Sequence, residues 1–175
     1  MPTEELTVLN TSPVPPEGRR YIRIASPKVG KPVRFFSLSS AVLGVWTHWV
    51  DGRSHPCFLE GCAWCTNGTV YPRRWKGYLY GHDIEGHVVC LLELPADTVR
   101  GHIQLRDASV NLCGASIIAE RIGPSPNSSV RAVVRLDAAI RVRAAQEPDV
   151  MAHLARIWGV PPETPSMDLA GGDDV

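Results

Sequence analysis

A chain of 175 residues with 44% hydrophobic side chains can bury one sizeable core, and its formal net charge of zero singles out no class of partner. No apolar run approaches the ~18–20 residues that a membrane-spanning helix needs, and the start M-P-T-E-E-L lacks the basic and apolar regions of a secretory signal. Five cysteines, an odd number, include a C-x-x-C pair; with no signal this predicts metal binding in a reducing, cytoplasmic setting rather than disulfides.

The zero charge conceals a strong segregation. Between Arg19 and Lys76 there are ten Lys and Arg against two acids, Asp51 and Glu60, a balance of +8. Residues 1–18 contribute −3 and residues 77–175 contribute −5. Charge separated in this way sets up a local positive field.

Residues 1–18 hold four prolines and read as a flexible arm. Arg19–Ser26 alternates cationic or aromatic with aliphatic residues, which predicts a half-buried strand with Tyr21 and Arg23 on one face and Ile22 and Ile24 on the core side. Val33–Val50 is rich in β-branched and aromatic residues and predicts one or two strands. D-G-R-S-H-P then reads as a loop leading to the cysteines. Further strands are expected at Arg73–Tyr80, at the apolar run His87–Leu94, at Val110–Ile122 and at Ser129–Leu136. Pro95–Leu105 predicts a short helix or an irregular connection. Asp149–Gly159 predicts a helix with Asp149 as cap, Val150, Leu154 and Ile157 on one side, and Gly159 with Pro161 as the stop. Residues 161–175 carry four acids and no base and read as a flexible acidic tail. Residues 19–160 are thus expected to form one mainly β domain. A small barrel of the OB type with a C-terminal helix is the natural candidate, and a small β-sandwich is the alternative.

The stretch from Trp46 to Tyr80 holds three of the five cysteines, two of the six histidines and four of the five tryptophans. Cys62 and Cys65 have the spacing that places two thiolates on one zinc ion, and Cys57 can fold back as a third ligand. The fourth ligand is His48 or His55. His48 is favoured, since it sits one loop away and would staple the loop to the body of the fold, whereas His55, two residues from Cys57, makes a cramped chelate. Four protein ligands leave no open position, so the zinc would be structural. A thioredoxin-like reading of C-A-W-C requires a following helix, and T-N-G-T-V follows instead.

Directly after the cysteines, Arg73, Arg74, Trp75, Lys76, Tyr78 and Tyr80 interleave cations and aromatics. Such a mixture suits single-stranded nucleic acid, where rings stack on bases and cations follow phosphates. On a strand, Arg74, Lys76, Tyr78 and Tyr80 share one face, and Arg73 and Trp75 the other. Tyr21, Arg23, Trp49 and Arg53 extend the candidate contact set, with DNA favoured and RNA not excluded by composition.

A His, a loop, a Cys and a C-x-x-C within a basic, β-rich domain that ends in acids resembles the zinc-containing single-stranded-DNA-binding proteins of T-even phages. The match covers about a fifth of the chain. It departs in a shorter loop before Cys62, a smaller chain and a Pro-rich rather than basic arm. The resemblance implies an OB barrel, zinc held by His48, Cys57, Cys62 and Cys65, and a tail with Asp168, Asp173 and Asp174 that recruits a replication or recombination protein. A zinc-ribbon protein–protein module is the alternative from another class. A small metal-dependent enzyme using H-D-I-E-G-H at His82–His87 is a third, although no P-loop, G-x-S-x-G or H-E-x-x-H occurs and the zinc-deaminase spacing is not met. The chain is expected not to be an enzyme.

Overall fold

A computed structural model describes residues 22–57, 62–67, 70–103, 111–125, 127–136 and 149–159. Tyr21, Asp168, Asp173 and Asp174, and with them the expected arm and tail, lie outside the described residues.

The domain is mainly β, with eight strands among the described residues: β1 (Arg23–Ala25), β2 (Val33–Ser37), β3 (Leu43–Val50), β4 (Arg53–Pro56), β5 (Arg73–Asp83), β6 (Val88–Pro95), β7 (Ala115–Arg121) and β8 (Val130–Leu136). Among the described residues two helical segments accompany them: α1, an α-turn at Ala96–Thr98 that widens into a π-turn over Val99–Ile103, and α2 (Val150–Trp158). No helix among the described residues is long and apolar enough to cross a membrane.

The strands form one mixed sheet in the order β1-β6-β5-β2-β7-β8. β5 is its spine. It pairs with β6 along most of its length, while its other edge carries β3 over Arg73–Tyr78 and β2 over Gly81–Asp83. Every pairing between the strands is antiparallel except β1 with β6. Among the described residues no ladder joins β1 to β8, so the sheet is open by its hydrogen bonds and the expected barrel closure is not formed by strand pairing.

The loop expected at D-G-R-S-H-P is instead a hairpin. Asp51 and Gly52 both have positive φ, 49° and 78°, and Val50 pairs with Arg53 across them. Asp-Gly is the pair that tolerates such a two-residue turn, and it turns the chain back as β4.

Period-2 alternation along β5 and β6 feeds two cores on opposite faces of the sheet. Leu79, Cys90, Leu92 and Leu94 point into the larger one with Phe35, Ile117, Ala119, Val130, Ala132 and Val134. Val99 and Ile103 of α1 cap this core, and the Thr98 hydroxyl donates to the carbonyl of Val130 (2.7 Å), tying the helix to β8. Tyr78, Leu91 and Val45 point the other way and are covered by Val150 and Leu154 of α2. The helix matches its sequence signals. The Asp149 carboxylate accepts from Ala152 N (2.9 Å), and Gly159 leaves the helix at φ 68°.

Candidate metal centre and its basic rim

His48, Cys57, Cys62 and Cys65 converge, with their donor atoms all within 4.8 Å of one another. Each arrives by a different local device. His48 lies on β3, on the face opposite to Val45, and is buried. Cys57 prolongs β4 by one residue, its N–H donating to the carbonyl of Trp46 (2.8 Å). Cys62 and Cys65 close a tight turn in which Cys65 N donates to the Cys62 carbonyl (3.1 Å), and a single 3-10 turn continues over Cys65–Asn67. Cys57 Sγ lies 3.4 Å from Cys65 Sγ, and Cys65 Sγ lies 3.4 Å from His48 Nε2. Sulfur ligands ~2.3 Å from a tetrahedral ion are separated by roughly 3.8 Å; the two 3.4 Å contacts are a little tighter than that and the 4.8 Å span of the group a little wider, a spread compatible with such an ion.

The histidine is held for this role from behind. His48 Nδ1 lies 2.7 Å from the carbonyl oxygen of Tyr71. A carbonyl can only accept, so Nδ1 carries the proton and Nε2 offers its lone pair to the cysteines. His55, the alternative ligand, pairs across the ladder with His48 and packs against Trp64, ring centroids 4.8 Å apart; it is not part of the cluster.

The Cys65 thiol is pushed up to about 12, first by its hydrogen bond with Cys57, then by burial and by Cys62. Cys65 is itself exposed, so the contacts among the three sulfurs outweigh burial as the cause: an anion on one is resisted by the others. A divalent ion reverses that balance and releases the thiol protons. Among the described residues these four side chains are the one such group, and the donor set is compatible with zinc.

The His82–His87 segment does not gather into a second site. It forms the turn between β5 and β6, where Asp83 ion-pairs with Arg23 and accepts from Gly86 N (3.1 Å).

The residues expected to touch nucleic acid separate into two groups. Tyr78 is a correction: it is fully buried under α2, and its hydroxyl donates to Glu93 (2.9 Å). Burial, followed by the Glu93 charge, pushes the phenol upward. Lys76 is spent on the same carboxylate (3.2 Å). Tyr80 stacks on His153 of α2, with centroids 5.0 Å apart and planes 13° apart. Trp75 packs against the larger core, its indole lying on the bare backbone of Gly44. Arg23 is at the other end of the sheet, paired with Asp83. The alternation was legible in the sequence; which face α2 covers was not.

The second group is exposed on the β3–β4–β5 end of the sheet, which carries the metal cluster on one face. Trp49 is 56% exposed, and Arg53, Arg73 and Arg74 are exposed without an acidic partner among the described residues. The Arg73 guanidinium lies 4.4 Å over the ring of Trp46, a cation–π contact beside the cluster. Trp64 rests against His55 on the same rim. Trp46 and Trp64 were missing from the expected contacts, although Trp46 shares the period-2 face of His48 and Trp64 sits inside the C-x-x-C turn. Ladder partners place Arg53, Arg73, Trp46 and His55 on the cluster's face and Trp49 and Arg74 on the opposite one.

No family model matches this chain, and no curated protein or solved structure matches it.

Proposed function

We propose that this is a zinc-stabilised, OB-like β domain that binds single-stranded nucleic acid, DNA in the first instance, through the rim of its metal knuckle. The observation that carries the reading is the pair Arg53 and Arg73, without an acidic partner among the described residues, on the same face as the half-buried ring of Trp46 and beside the turn that carries Trp64, with Trp49 and Arg74 exposed on the reverse of the same strands. Rings that can stack on bases and cations free to meet phosphates are the two ingredients of sequence-tolerant single-strand binding. Zinc held by His48, Cys57, Cys62 and Cys65 pins the turn that carries Trp64, so the metal builds the surface and takes no part in chemistry. Such a protein would serve replication, recombination or repair.

The experiment is a tryptophan-fluorescence titration with a single-stranded oligonucleotide and with its duplex, at low and moderate salt. Quenching by the single strand that weakens as salt rises supports stacking with counterion release. An unchanged spectrum with both ligands, alongside retention of a protein partner on the purified domain, would favour the zinc-ribbon interaction module instead.

A further inference from the structure

Of the four residues of the cluster only Cys65 is exposed. Cys57 and Cys62 are buried, at 1% and 4% exposure, and His48 at 1%, whereas Cys65 is exposed. The exposed sulfur stands 3.4 Å from that of Cys57, and those two residues belong to different parts of the site. Cys57 is anchored to the sheet by its backbone hydrogen bond to Trp46, while Cys65 rides on the short turn. A disulfide needs its sulfurs at ~2.05 Å, so a movement of little more than 1 Å by the turn joins them.

We propose that the knuckle is an oxidation switch in which a hydroperoxide enters at Cys65, forms a Cys57–Cys65 disulfide and expels the metal. This rests on the metal reading above and adds its regulation. The Cys65 thiolate attacks one peroxide oxygen; the O–O bond breaks, leaving a sulfenic acid on Cys65 and one hydroxide. The Cys57 thiolate then attacks the sulfenic sulfur, the S–S bond forms, and a second hydroxide leaves. Two thiolates lose two electrons, the peroxide gains them, and two protons from solvent complete two waters. Cys62 and His48 alone do not satisfy a tetrahedral ion, so the metal departs. The turn bearing Trp64 is then held by the disulfide in place of the metal, which moves one ring of the rim proposed to bind single strands. A dithiol reductant plus metal restores the site.

The placement of the other two described cysteines sharpens the claim. Cys90 is fully buried in the larger core, where burial pushes its thiol up to about 11, and Cys113 is half-buried just before β7. Neither offers an accessible sulfur beside a second one, so oxidation is expected to be selective for the knuckle.

The test uses the full chain loaded with zinc, its metal content measured first, then treated with increasing hydrogen peroxide. Released zinc is read with a chromogenic chelator, and disulfides are mapped by digestion without reduction. The expected result is one zinc released per Cys57–Cys65 disulfide formed, reversed by dithiothreitol and added zinc. A Cys90→Ala, Cys113→Ser variant should release zinc on the same curve. Zinc retained with all thiols reduced, or a Cys62–Cys65 disulfide in place of Cys57–Cys65, overturns the proposal while leaving the metal site standing. A chain that takes up no zinc overturns both. Loss of zinc without any effect on oligonucleotide quenching upholds the release of metal by oxidation and overturns its coupling to the rim.

Discussion

Ser54 on β4 donates a hydrogen bond to the Glu93 carboxylate on β6 (3.2 Å), although β3 and β5 lie between those strands in the ladder. Three strand spacings of ~4.8 Å would hold them roughly 14 Å apart in a flat sheet. The sheet therefore curls over the Tyr78 face, and side chains bridge β4 and β6 there. Glu93 is the hub, accepting also from Tyr78 (2.9 Å) and facing Lys76 (3.2 Å).

That hub is expected to matter more than any surface ion pair. Glu93→Ala leaves the buried Tyr78 hydroxyl without its acceptor and Lys76 without its counter-charge, at a cost of about 3 kcal/mol in denaturant unfolding. Ser54→Ala should cost about 1 kcal/mol. Glu120→Ala, which removes only the exposed pair with Arg131, should cost less than about 1 kcal/mol. Equal losses for Glu93 and Glu120 would show the hub to be dispensable.

The two histidines on facing positions of β3 and β4 give a discriminating pair of variants. His48→Ala and Cys62→Ser should each abolish stoichiometric zinc and lower the melting temperature, because the ligand set loses a donor. His55→Ala should keep the metal and disturb only the packing of Trp64. Atomic-emission zinc content with a thermal melt reads both. Zinc lost from the His55 variant and kept by the His48 variant would reverse the ligand assignment.

Close approach at Gly44 admits no side chain. A Cβ there would run into the indole of Trp75, whose ring fills the space across the β3–β5 pair. Gly44→Ala should destabilise by about 1–3 kcal/mol through overpacking. Tryptophan emission should shift with it, since Trp75 must leave its seat. An unchanged spectrum would place the ring elsewhere.

Acid should loosen α2 through His153. Burial first, then Arg156, hold its imidazole below the ordinary 6.5, against a smaller opposing effect of Asp149, and the neutral ring stacks on Tyr80. The folded value is lowered, so as pH falls through 6.5 the unfolded chain takes up the proton first and stability is lost; above 6.5 that contribution is fully present. The His153→Gln variant should show a flatter stability profile between pH 7 and pH 5 than wild type. Parallel profiles would remove His153 as the cause.

The rim predicts a split in the response to salt. Arg53→Ala and Arg73→Ala should each reduce the slope of log affinity against log salt by about 0.7 for a single strand, whereas Arg131→Ala on distant β8 should leave it unchanged. Trp46→Ala should weaken binding by about 1–3 kcal/mol. Tyr78→Ala should lower stability before it lowers affinity, because its ring is core. Identical slopes for Arg73 and Arg131 variants would move the interface away from the knuckle.

The chain's own pattern determined the local elements and their chemistry. Alternation in Arg73–Tyr80 and His87–Leu94 marked the two long strands, Asp149 and Gly159 bounded α2, and the spacing of Cys57, Cys62 and Cys65 announced a metal turn. These signals are short-range: a period, a cap, a chelate. Asp51-Gly52 was equally legible as a hairpin signal, and its reading as a loop cost β4. What only the tertiary structure decided is which face of each strand meets water. Tyr78 and Tyr80 have the same alternation as an exposed stacking strip, yet α2, some seventy residues later in the chain, lies over them. The choice between His48 and His55 is also non-local, since the ladder sets both on one face and the carbonyl of Tyr71 orients only the first. Periodicity divides a strand into two faces; burial of one of them is a long-range event that no local pattern encodes.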